Sequence, residues 1–279
     1  MGGEESERWT PSGVRLTRVS SSPGKRRWLF VPGGPGLGSE SLRDLAQLAC
    51  GLGEVWRVDL PGDGSNRGLP VLPERPYSLW PDVLVEAAQA LEEVVMVGHS
   101  TGGMFMLSVP ALEAHLVGMV LVSSAPDARW REAFHAYARD HALPGVDTAA
   151  AAYARAPGAD TLRALTLAAA DWNFTLAGLH KGRALLEDLP YCHEAVAWAD
   201  AHFDASYRAR WTPTRLPTLL LSGAEDHIVD QRLWSEAPGF SGPHVQQRWI
   251  ADAGHFPWIE QPEAIRAALT EFHQQLERR

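Results

Sequence analysis

Short runs of apolar and β-branched residues recur along the chain, at Trp28-Leu29-Phe30-Val31, Val55-Trp56-Arg57-Val58, Val94-Val95-Met96-Val97, Met119-Val120-Leu121-Val122 and Thr218-Leu219-Leu220-Leu221. Most are apolar on both faces, the pattern of strands in a parallel sheet covered by helices on either side. Helical spacing separates them over Leu42 to Ala49, over Pro81 to Leu91 and from Thr101 onward. This alternation predicts an α/β sheet with crossover helices. A last strand, Val245 to Ile250, and a last helix, Pro262 to Leu276, extend it, with Pro262 at a first-turn position where its missing N–H costs nothing.

The rhythm breaks between about Pro126 and Trp211. That stretch is rich in Ala, Leu, Arg and Glu, and its helical pieces (Ala149 to Ala154, Thr161 to Ala170, Leu176 to Leu189) are punctuated by Pro144-Gly145, Pro157-Gly158 and Pro190. Sheet elements resume at Leu216, so the helices read as an insertion in one α/β domain: core over 1–125, insertion over 126–211, core again over 212–279.

The 279 residues, 45% hydrophobic and 21% charged, suffice for a sizeable core. A net charge of -9 and scattered basic residues argue against nucleic acid as a partner, and Lys25-Arg26-Arg27 reads as the solvated entry to a strand. Two cysteines, Cys50 and Cys192, lack the number for a disulfide framework and the spacing for a zinc site, which predicts thiols in a reducing, cytoplasmic compartment. The polar, acidic start from Met1 to Arg8 has no apolar leader core, and no later stretch approaches a membrane span. No metal and no cofactor is expected: Gly33 to Gly38 lacks both the Lys-Ser/Thr ending of a P-loop and the G-x-G-x-x-G order of a dinucleotide site.

The chemistry is concentrated at Gly98-His99-Ser100-Thr101-Gly102-Gly103, a G-x-S-x-G directly after an apolar strand and directly before a helix. A nucleophile on so tight a turn adopts strained backbone angles, and flanking glycines remove the Cβ atoms that would clash there. The turn sets Ser100 at a helix N-terminus, where free N–H groups face a developing anion. A serine hydroxyl needs a base at neutral pH. Among eleven histidines, His255 stands out because Ala253-Gly254-His255-Phe256-Pro257 forms a turn after a strand and ahead of the last helix. Asp226, after the strand at Thr218 to Leu221, is the favoured acid to orient it, with Asp127, Glu225, Asp230 and Asp252 as competitors. Donors to the oxyanion are expected from the N–H groups of Thr101 and of Gly34, in the loop Pro32-Gly33-Gly34-Pro35-Gly36.

These segments together resemble the α/β-hydrolase superfamily from about Arg27 to the C-terminus. The matching pieces are the Gly-Gly-Pro-Gly loop, Val58-Asp59-Leu60-Pro61-Gly62, the elbow at Ser100, Ser222-Gly223-Ala224-Glu225-Asp226, and Gly254-His255-Phe256-Pro257 followed by Glu260-Gln261-Pro262. The resemblance implies the serine-nucleophile branch, the chain order Ser, Asp, His, and a helical cap over an acyl pocket. Two positions depart from its pattern: Pro32 stands where family members commonly have histidine, and Asp63 where they often read Pro-Gly-His-Gly. Proline iminopeptidases share the Gly-Gly-Pro-Gly loop, but Thr101 occupies the place of their usual tryptophan.

Aromatic residues at Trp130, Trp172, Phe174, Tyr191, Trp198 and Phe203, with Phe256 and Trp258 beside His255, suit a core or an apolar pocket; Trp172, Phe256 and Trp258 are taken as candidate pocket walls. The expected activity is hydrolysis of an ester, thioester or amide of a small, apolar substrate through an acyl-enzyme. Carbon-carbon hydrolysis, acyl transfer on the same residues, and a low-turnover small-molecule binding protein are the alternatives.

Overall fold

The computed structural model describes residues 6–67 and 76–279. The acidic start up to Glu5 lies outside the described residues. Eight strands form one sheet in the order β1-β2-β4-β3-β5-β6-β7-β8. They are β1 (Glu7–Trp9), β2 (Arg15–Ser21), β3 (Arg27–Val31), β4 (Glu54–Asp59), β5 (Val94–His99), β6 (Leu116–Val122), β7 (Thr218–Gly223) and β8 (Val245–Ile250). From β4 to β8 every neighbouring pair is parallel, whereas β2 runs antiparallel to both β1 and β4. The chain is therefore an α/β protein with a mostly parallel sheet flanked by helices.

The apolar runs became strands because their alternate residues fill two separate cores. Trp28 and Phe30 of β3 and Leu219 and Leu221 of β7 pack on one face with Leu45 of helix α1 (Arg43–Leu48) and Phe272 of α11 (Pro262–Glu277). Leu29, Val31 and Leu220 point to the other face, against Trp80 and Leu84 of α2 (Trp80–Gln89) and Phe105 of α3 (Thr101–Leu107). Each such side chain, removed wholly from water, contributes about 1.5 to 3 kcal/mol to the fold. β5 and β7 are buried along their whole length. They are the strands that lead to Ser100 and Asp226.

β1 and β2 have no counterpart in the sequence reading. Arg-Leu-Thr-Arg-Val-Ser-Ser carries too few apolar residues to form an apolar run, and it is strand only because β4 offers it an edge. Between β6 and β7 stand six helices, α4 (Arg129–Asp140), α5 (Val146–Arg155), α6 (Ala159–Ala168), α7 (Ala170–Asn173), α8 (Leu179–Glu187) and α9 (His193–His202). The spacing located α5 and α6, began the third piece too early, since Leu176 lies exposed ahead of α8, and left α4 and α9 undelimited. An antiparallel bridge between Asp127 and Arg208 draws together the points where the chain leaves the sheet for these helices and returns. A short α10 (Pro257–Glu260) precedes α11. No helix among the described residues is long and apolar enough to cross a membrane.

Candidate active site

Parallel strands carry their chemistry at one edge, where all their C-terminal ends emerge. Ser100 follows β5, Asp226 follows β7 and His255 follows β8, so the sheet delivers the three to one place from distant parts of the chain. Ser100 occupies φ 50° and ψ -123°, a conformation that L-residues avoid. It is held there by its own N–H to the Val122 carbonyl (2.8 Å) and by the Ser124 hydroxyl on its carbonyl (2.9 Å). The flanking glycines are required by proximity: a Cβ on Gly98 would lie 2.6 Å from the Gly103 backbone. Strand and helix approach so closely only because neither residue has a side chain.

The Ser100 hydroxyl lies 3.1 Å from His255 Nε2, and His255 Nδ1 lies 3.0 Å and 3.1 Å from the two Asp226 oxygens. Facing a carboxylate fixes the proton on Nδ1 and leaves the Nε2 lone pair toward the serine. The Asp226 side chain is fully buried. Its Oδ1 also accepts from the Ile228 and Val229 amides (3.0 Å each) and its Oδ2 from Gln231 Nε2 (3.1 Å). Such donors hold the carboxylate immobile against the imidazole. Gln231 is oriented in turn, because its Oε1 accepts from the Ser222 hydroxyl at 2.8 Å and from Trp234 Nε1 at 3.2 Å.

Two of the competing acids are engaged by arginines. Asp127 pairs with Arg129 at 2.9 Å and Asp230 with Arg232 at 2.8 Å; Asp252 sits in a turn at φ 52°, and among the described residues Asp226 is the one acid bonded to the imidazole.

Gly34 and Thr101 are brought together across the Ser100 turn, the Thr101 hydroxyl donating to the Gly34 carbonyl at 3.3 Å. Gly34 has φ 115°, a left-handed value open to glycine. Thr101 is the first residue of α3, so its N–H has no acceptor within the helix. Asp63, the departure in the loop after β4, is buried, and burial pushes its carboxyl up to about 7 against the lowering effect of the Gly64 and Gly38 amides.

The three candidate wall aromatics do not share one surface. Phe256, 2% exposed, stacks on Phe174 at 5.1 Å, and Trp258, 2% exposed, packs edge-on to His99 at 4.7 Å. Both pack on His99, which itself lies 4.9 Å from the His255 ring. Trp172 turns toward α4, edge-on to Phe134 at 5.5 Å, with its N–H on the His141 carbonyl.

Two participants carried weaker signals. Glu260, inside the Glu-Gln-Pro stretch, binds Thr175 through its backbone N–H (2.8 Å) and hydroxyl (2.7 Å) and accepts the Gly254 amide at 2.6 Å. The His255 amide donates to Asn173 at 2.8 Å. The base's loop is thus tied to the segment following α7. His99 is the other: visible as the residue before the serine, it makes its principal contact with a carbonyl 156 positions away. Among the described residues no group of three or more His, Cys, Asp or Glu is placed to hold a metal ion.

A model of the alpha/beta hydrolase family matches residues 28–268. The chain is similar to pimeloyl-[acyl-carrier protein] methyl ester esterase of Xanthomonas oryzae pv. oryzae, 27% identical over 237 residues that cover 78% of this chain and 84% of that protein. Among solved structures it superposes on an alpha/beta fold family hydrolase from Bacillus anthracis str. Sterne with a TM-score of 0.73, at 14% identity over 96% of this chain and 98% of that one. A proline iminopeptidase-related protein from Thermus thermophilus gives 0.68, at 22% identity over 98% and 99%. At these identities the two structures speak to the fold alone.

Proposed function

The chain belongs to the alpha/beta hydrolase family, a hydrolase enzyme with esterase-named relatives, and from that premise we propose that it is a serine esterase working through an acyl-enzyme on Ser100. The observation that carries the reading is the unbroken relay from Ser100 Oγ through His255 to Asp226, with spacings of 3.1 Å and 3.0 Å. In this reading Ser100 Oγ attacks the ester carbonyl as His255 Nε2 takes its proton. The imidazolium is stabilised by Asp226. Collapse of the tetrahedral intermediate expels the alcohol, which leaves with that proton. Water then attacks the acyl-enzyme, His255 again holding the proton, and the acid is released with Ser100 restored.

The Gly34 and Thr101 amides are assigned to the oxyanion, where loss of one such donor costs about 2.7 to 4 kcal/mol of transition-state stabilisation. Residues 126–211 are assigned as a helical cap over the substrate. The substrate class is an ester of a carboxylic acid with a small alcohol, on the strength of the methyl ester named for the Xanthomonas relative. Two unpaired cysteines, Cys50 and Cys192, support a reducing compartment, the cytoplasm, as its setting.

The test is intact mass after treatment with a fluorophosphonate, run beside Ser100→Ala and a series of methyl and p-nitrophenyl esters. One adduct on the unmodified protein, none on the variant, and turnover of esters are the expected results. Absence of both labelling and turnover overturns the assignment.

A further inference from the structure

We propose that His99 is a positioning residue for the base: as a neutral imidazole it donates from Nε2 to the His255 backbone carbonyl and so fixes the loop that aims His255 at Ser100. The proposal rests on the serine-esterase reading and deepens it.

His99 is the last residue of β5 and the neighbour of Ser100, so its backbone is set by the same fully buried strand that presents the nucleophile. Its side chain is 1% exposed. Nε2 lies 3.1 Å from the His255 carbonyl oxygen, an atom that can only accept, so Nε2 carries the proton. Nδ1 is buried and without a partner. A second proton there would place an unpaired N–H and a net charge in an apolar enclosure, beside a base that must itself become cationic during the reaction. Burial first, and the nearby His255 second, hold the imidazole well below the ordinary histidine range.

The enclosure is made by the base's own segment. The His99 ring centroid is 4.9 Å from that of His255, 4.9 Å from Phe256 and 4.7 Å from Trp258. Three of the four residues from His255 to Trp258 therefore pack on one imidazole, and the hydrogen bond sets their register along it. Packing alone leaves the loop free to slide, whereas a buried donor and acceptor must meet. His99 touches no reacting atom; it acts through His255.

The test compares His99→Gln, which keeps a donor, with His99→Phe, which keeps the ring packing and has none. Acylation is read as the rate of Ser100 phosphonylation, and turnover as kcat and KM on one ester, with melting temperatures recorded for each. We expect His99→Phe to lose about tenfold or more in kcat with little change in KM, and His99→Gln to recover most of that loss. A His99→Phe variant as fast as the unmodified protein overturns the proposal, as does a His99→Gln variant as slow as His99→Phe at equal stability. Independently, nitrogen-15 spectra of the histidines should show His99 neutral with its proton on Nε2 at pH 6; an Nδ1–H form or an imidazolium overturns the proposal. If the unmodified protein resists phosphonylation while His99 shows that tautomer, the esterase reading fails and the His99 contact stands.

Discussion

The sheet and the six helices between β6 and β7 are built to different tolerances. β5 and β7 have no exposed residue, and their ends are located by backbone contacts so close that side chains are excluded. α4 and α5, by contrast, contain no buried residue. They lie against their neighbours on half-buried faces. Positional precision in this molecule comes from the sheet, where a displacement must disturb two cores at once, and α4 and α5 can change sequence without disturbing the relay.

The sharpest way to probe this contrast is Asp226→Asn, which keeps the shape of the best-fixed side chain and removes its charge. A loss of about 10⁴-fold in kcat is expected, with a near-normal melting temperature, because an amide cannot hold the imidazole in the same tautomer. Gly223→Ala should cost less activity and more stability. Its new Cβ would collide with the Gly254 carbonyl and lie 2.5 Å from that of Ala253, forcing β7 away from the base's loop. We expect about 10²-fold in kcat and about 2 kcal/mol or more in a denaturant titration.

A third prediction concerns pH. The Asp63 carboxyl, pushed up to about 7 by burial, is raised above its unfolded value. Its favourable contribution is therefore fully present below about pH 4 and is lost as pH rises through about 7. Asp63→Asn should flatten the decline in stability across that window by on the order of 2 to 4 kcal/mol, checked by denaturant midpoints at several pH values. The smallest effect belongs to the helices: Ala151→Gly, on the exposed side of α5, should cost about 0.5 to 1 kcal/mol of local helix stability and leave kcat unchanged. Loss of activity in that variant would break the comparison.

What could be read from the sequence follows the same division. β8 falls on Val245–Ile250 as its pattern predicts, and the other five parallel strands were announced by apolar runs, because a doubly covered strand has nothing polar to confuse it. β1 and β2 escaped because an antiparallel edge derives its hydrogen bonds from a partner more than from its own composition. α4 was not delimited although α5, equally without a buried residue, was located. In the site, Ser100 and His255 were marked by glycine-bounded turns. Gln231 and Glu260 were not, since polar residues in loops are common and what distinguishes these two is whom they meet after folding.

The Glu260 carboxylate bears on the timing of turnover. One oxygen holds Thr175 beyond α7 and the other holds the Gly254 amide beside the base, while the His255 amide binds Asn173. An outward swing of the segment after α7 would pull the backbone that aims His255. A motion of the helical layer that keeps His255 aimed must therefore spare this flank.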